Sequence, residues 1–236
     1  MEVLTKWVTV LPWWDWAAVT WFFLGWVGYA RFAHRRGAVQ PSLLAAGNRV
    51  RRLWMLQATK REVRVVDGVV VQQLSSSPSF FASTTILIIG GLLALIRAGD
   101  LAGTLAAEIP FAARTSAQVL DLKLILLLGI FVYAFFCFTW SLRQYSFGAL
   151  LVASAPEHDE YRQLGEAARA RFADRAGAVM GLAAESFNDG LRAYYLAFAA
   201  AAWLFSPWAL ALATAGVLWI LYRREFRSEV LALMRD

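Results

Sequence analysis

The chain has 236 residues, 59% of them apolar and 17% charged, with a formal charge of +6. Its apolar residues gather into blocks that each cross most of a hydrocarbon core of about 30 Å, which excludes an ordinary soluble domain and leaves no length for a sizeable one beside them. The excess of basic residues does not point to nucleic acid either, because it is concentrated in one loop that lacks the alternating aromatics of a binding platform.

The expected fold is all-α: a polytopic transmembrane helical bundle of five spans, with four as the alternative, carrying amphipathic cytoplasmic helices. The first span is expected over about 12–30. Trp13, Trp14 and Trp16 mark a headgroup interface, and Asp15 among them reads as an interfacial residue. Glu2 and Asp15, with little positive charge ahead of the apolar run, argue against a cleavable signal, so this helix is expected to remain as an anchor. The loop that follows carries Arg31, Arg35, Arg36, Arg49, Arg51, Arg52, Lys60, Arg61 and Arg64 against only Glu62 and Asp67. The positive-inside rule places it in the cytoplasm and the N-terminus outside. Within it, 42–66 is helix-permissive, with Val50, Leu53 and Trp54 on one side and arginines on the other.

The serine-rich run at 75–79 is expected to be a turn capping a second span over about 80–97, and its hydroxyls could line a polar vestibule. Gly90 and Gly91, after Ala82, Ser83, Thr84 and Thr85, form a face on which another helix could approach closely. Balanced charges over 97–123 suit the outer side. There Arg97, Asp121 and Lys123 lie at span ends, where long side chains snorkel and carboxylates reach water. A third span, about 122–142, returns inward to Arg143 and contains Cys137, the only cysteine, as a small apolar filler. No charge falls in the middle of 81–96 or 125–139, so a relay of intramembrane carboxylates has no support.

A second cytoplasmic helix is expected over 157–189. Leu164, Ala168, Phe172, Ala176, Val179, Ala183 and Phe187 recur at helical spacing, and Glu157, Asp159 and Glu160 suit its N-terminal end. Glu185, Asn188 and Arg192 are spaced by three and four, with Asp189 beside them. Their shared face could bind a cation or a polar headgroup, or could hold Arg51, Arg52 or Arg64 in a structural ion-pair network. The last apolar stretch, 194–222, would be about 44 Å long as one helix, too long for a single crossing. Ser206, Pro207 and Trp208 divide it into spans over about 190–205 and 207–223, which puts the C-terminus in the cytoplasm.

Soluble-enzyme chemistry finds little support. His34 and His158 each stand alone, and neither a phosphate-binding glycine loop nor a nucleophile elbow occurs. No catalytic residue, cofactor or metal is expected, and the reading leans away from an enzyme.

Five segments together carry a resemblance: RLWM at 52–55, FFASTT at 80–85, RQYSFGAL at 143–150, FNDGLRAYY at 187–195 and REFRS at 224–228. Over nearly the whole chain they resemble the integral membrane proteins of domain-of-unknown-function family 599. The resemblance implies a polytopic membrane protein without an established activity, and it directs interest to Arg52, Trp54, Ser83, Arg143, Asn188, Arg192 and Glu225. With Thr84, Glu185 and Asp189, these are the candidate functional polar residues. The expected function is a small-solute or ion transporter or channel acting as a homo-oligomer in the inner (plasma) membrane, because so few helices leave little room for an internal path. The alternative is a non-catalytic scaffold or accessory subunit of a larger membrane complex, or a lipid-binding protein. Expected partners are membrane lipids and either further copies of the chain or another membrane protein, with no nucleic acid.

Overall fold

In the computed structural model, residues 11–37, 42–99 and 116–234 are described, and all regular structure among them is helical. The order is α1 (Trp13–Gly37), α2 (Leu43–Ala58), α3 (Val65–Arg97), α4 (Ala117–Ala153), α5 (His158–Leu164), α6 (Glu166–Ala201), a 3-10 turn (Ala202–Leu204), α7 (Pro207–Phe226) and α8 (Glu229–Leu233). Two helices, α3 and α4, are long and apolar enough to cross a membrane. Most of the expected outer connection, 97–123, lies outside the described residues, as does Glu2.

Local chemistry sets the helix limits. Ser42 caps α2, its hydroxyl accepting from the Ala45 amide at 3.1 Å, which satisfies one of the amides that a helix start leaves open. The Thr59 hydroxyl donates to the Leu56 carbonyl at 2.7 Å at the other end. Ser206 accepts from the Ala209 amide at 3.0 Å, and Pro207 occupies the first position of α7, where its missing N–H costs nothing.

Three expectations need correction. The serines of 75–79 do not form a turn: α3 runs unbroken from Val65 through Pro78 to Arg97. Proline forfeits one backbone bond there, while the Ser75 and Ser76 hydroxyls donate back to the Gln72 and Gln73 carbonyls at 2.8 and 2.7 Å, a pattern that a continuing helix accommodates. The helix expected over 157–189 is two helices. Gly165, at φ +78° and ψ 176°, sits in a backbone region essentially closed to residues with a Cβ and ends α5, whereas α6 continues past 189 to Ala201. Asp15 and Lys123 are not solvated span ends: they are only 8% and 2% exposed.

Two compact units emerge from the contacts. The first comprises Met1–Arg36, Thr85–Ala134 and Leu191–Arg223. Its polar centre is Asp15, which accepts from the Trp203 indole at 2.6 Å, with the Lys123 ammonium 5.5 Å from the centre of the same indole ring. The ammonium and carboxylate thus share one aromatic partner, which offsets the cost of removing both from water. Thr85, fully buried, shares a 2.6 Å hydrogen bond with the Tyr194 hydroxyl, and Tyr194 meets Phe131 edge-on. Leu120 and Leu124 pack with Leu92, Ile96 and Leu204.

The second unit comprises Gly37–Thr84, Phe135–Gly190 and Arg224–Asp236. Met55, Val71, Tyr145, Val152, Ala173, Ala176, Met180 and Ala183 form its core. Gly177 lets α2 come close to α6, since a Cβ there would lie 2.9 Å from the Arg52 Cα. Further along, Ser141 donates to the Ala183 carbonyl at 2.7 Å, and Phe81, Phe138 and Phe187 pack as a ring triad.

Candidate functional site

The densest polar arrangement in the second unit surrounds Asp67, in the first turn of α3 and fully buried. One carboxylate oxygen accepts from the Trp54 indole at 2.7 Å and pairs with the Arg61 guanidinium. The other oxygen is buried without a partner among the described residues. A buried carboxylate needs a charge partner and donors to remain in place. Here α2 supplies the Trp54 donor and the loop after it the Arg61 charge, both at the start of α3, where open amides also favour negative charge.

Arg64, three residues earlier, acts as a strut. It donates to the carbonyls of Ala58 at 3.2 Å, Ala155 at 2.7 Å and Pro156, so it ties the end of α2 to the loop after α4. Its guanidinium also lies 5.9 Å from the centre of the Tyr161 ring. Arg169, nearly buried, approaches the same ring at 5.5 Å while donating to the Thr59 carbonyl at 3.0 Å. Tyr161 is 1% exposed and its hydroxyl has no partner among the described residues. Burial pushes that phenol above its ordinary pKa, and the charges of Arg64 and Arg169 pull the other way. Arg51 donates to the Asn48 side chain at 3.0 Å, and burial holds its pKa below the ordinary arginine value.

Beside this framework lies a cavity of about 630 Å³. Glu62, Arg64, Glu157, His158 and Asp159 supply its polar lining, and Gly68, Val71 and Val152 its apolar side. Three carboxylates against one committed arginine give the cavity a negative rim. The Nδ1 of His158 is buried without a partner among the described residues. No group of three or more His, Cys, Asp or Glu side chains among them is placed to hold a metal ion.

The residues singled out from sequence do not converge on one centre. Trp54 belongs to the Asp67 network. Arg52 pairs with Asp174 on an exposed surface, and Glu225 accepts from the Leu44 amide at 3.2 Å, joining the start of α2 to the end of α7 within the second unit. Arg143 is exposed and lies 5.6 Å from the centre of the Phe147 ring. Ser83 is exposed, and Thr84 is half-buried with its hydroxyl donating to the Phe80 carbonyl at 2.9 Å. Glu185, Asn188, Asp189 and Arg192 are half-buried along α6, and Arg192 lies 5.9 Å from the centre of the Tyr29 ring in the first unit. The partners found for Arg51, Arg52 and Arg64 lie elsewhere than this group. Asp67, Tyr161 and Arg169 were not anticipated. One signal for Asp67 was available: with Glu62, it is one of only two acids in a loop rich in arginine.

The family model described as "Protein of unknown function, DUF599" matches residues 17–230. No curated protein and no solved structure matches the chain.

Proposed function

This chain belongs to the DUF599 family, and from that premise we propose that it is a five-span protein of the inner (plasma) membrane, N-terminus outside and C-terminus cytoplasmic, that conducts a small solute or ion as a homo-oligomer. Support for five spans comes from the outer surfaces of the helices. Leu24 on α1, Leu87 on α3, Phe136 on α4, Phe198 on α6 and Leu212 on α7 are each 64–76% exposed, a placement that water disfavours and lipid does not. At 1.5 Å per residue, α1 and α7 reach about 37 and 30 Å, enough for a core of about 30 Å.

The observation that carries the transport reading is a stripe on α3. Gln72, Ser76, Ser79 and Ser83 recur at intervals of four, three and four, so they share one face, and all four are exposed in the single chain. Polar side chains on a helix this apolar are costly against lipid and cheap against water or a second copy. A ring of copies would turn these stripes toward a common axis, with Ser76 and Ser79 as a vestibule and Ser83 deepest.

The test combines native mass spectrometry with flux from proteoliposomes loaded with small ions. Homo-oligomers free of other proteins, together with flux that falls in Ser83→Ala and Ser79→Leu, are expected. A fixed larger protein partner and unchanged flux would put the scaffold reading in its place.

A further inference from the structure

We propose that a groove between α1 and α4 in the first unit binds one acyl chain of an anionic phospholipid, with the lipid phosphate held by Arg31 and Arg35. The groove encloses about 740 Å³, within the range of roughly 300–1,000 Å³ typical of small-ligand sites. Phe23, Trp26, Val27, Gly129 and Tyr133 line it together with Arg31, the one charged residue of its lining among the described residues. Trp26 meets Tyr133 edge-on with ring centres 5.6 Å apart, which fixes the spacing of the two helices.

Its dimensions and polarity match one leaflet. From Phe23 to Arg31 the helix advances about 12 Å, close to half of a hydrocarbon core of about 30 Å. The apolar length therefore accommodates a chain segment, and charge appears only where headgroups begin. Arg35 follows Arg31 by four residues, so the two exposed guanidiniums share a face, and no hydrogen bond or ion pair holds either among the described residues. Guanidinium forks bind phosphate oxygens in pairs, and a cationic end is complementary to an anionic headgroup rather than to a zwitterionic one. Gly129 keeps the groove open: a Cβ built there meets nothing within 4 Å. The position thus has room for a Cβ, and since Gly129 lines the groove a larger side chain there would take up groove volume.

The proposal rests on the membrane reading, which alkaline carbonate extraction tests separately. Release of the full chain without detergent would remove both ideas, whereas retention leaves the groove to be judged alone. The full-length protein, purified in mild detergent, is titrated with phosphatidylglycerol and with phosphatidylcholine of the same acyl chains and read by native mass spectrometry. A preference for phosphatidylglycerol is expected, weakening about fivefold in Arg31→Gln or Arg35→Gln and about thirtyfold in the double variant, the equivalent of about 1 kcal/mol per arginine. Gly129→Leu should lose the tightly held lipid while keeping a thermal midpoint at or above that of the wild type. Equal retention of the two lipids, undiminished binding in Gly129→Leu, or disruption of a dimer by that substitution would each overturn the proposal, the last by assigning the groove to a second copy.

Discussion

Removing the charge of Arg61 should destabilise the protein at least as much as replacing Trp54 by phenylalanine, because it strips the counter-charge from a fully buried carboxylate. The indole donates at 2.7 Å to a carboxylate with no solvent exposure, a charge-assisted hydrogen bond whose loss costs about 1.5–3 kcal/mol. The Arg61 side chain is 42% exposed but that of Asp67 is 0% exposed, so Arg61→Gln leaves a carboxylate that water cannot reach without its counter-charge. Such a loss costs about 3–5 kcal/mol, with a half-exposed arginine at the lower end. With about 2 kcal/mol for Trp54→Phe and about 3 kcal/mol for Arg61→Gln, the thermal midpoint should fall by about 4–8 °C and about 6–12 °C respectively. Far-ultraviolet circular dichroism in one detergent is the suitable assay, because the chain holds 11 tryptophans and fluorescence would blur the site. Repeating Trp54→Phe in an Asp67→Asn background separates the hydrogen bond from lost packing. An Arg61→Gln loss well below the Trp54→Phe loss would refute the idea that the buried carboxylate depends on its counter-charge.

Other consequences can be checked by the same melts. Gly177→Ala should cost about 1–3 kcal/mol, since its methyl meets the backbone of Arg52, which cannot yield as a side-chain tip would; Gly68→Ala, with open space around it, should stabilise α3 by up to about 1 kcal/mol. Tyr161→Phe removes a buried hydroxyl without a partner among the described residues and should be neutral or slightly stabilising near pH 7. Because the folded-state pKa of Tyr161 is raised above its ordinary 10.0, the native state keeps a proton that the unfolded chain loses, so its contribution is full below pH 10 and declines above it; the phenylalanine variant should lose less stability in that alkaline range. Asp15→Ala leaves the buried Lys123 and the Trp203 indole without their carboxylate and should cost about 3–5 kcal/mol, whereas Asp15→Asn keeps an acceptor and should cost less. Equal losses in the two Asp15 variants would mean that the carboxylate charge, rather than the hydrogen bond, holds that cluster.

Helical class was legible because the apolar residues recur at helical spacing and because the five quoted segments sufficed to indicate the family. The partners of buried polar groups were not. Asp15 sits among tryptophans that typify an interface, and nothing near it in sequence reveals that Trp203 will cover it. Lys123 was misplaced for the same reason, since position at a span end says nothing about a ring arriving from another segment. The run at 75–79 misleads through composition: serine and proline favour turns in water, but the Ser75 and Ser76 hydroxyls bond to carbonyls of their own helix. Gly165 was overlooked because a single glycine inside a periodic pattern seldom stops a helix unless its φ is positive. The candidate polar residues followed motif membership, and motifs select positions without showing which of them meet; Arg52 and Trp54, two apart on α2, therefore point to different partners.

The bond between Asp15 and Trp203 also has a clock attached to it. Its partners are 188 residues apart, and a ribosome adding about 5–20 residues per second delivers the second one about 10–40 s after the first. Throughout that interval the first helix carries a carboxylate whose eventual cover has not been made. Nascent chains stopped before residue 203 would keep it unshielded indefinitely, so premature termination shortly ahead of that codon should yield a product that quality-control proteases distinguish from the finished protein by this one uncovered acid.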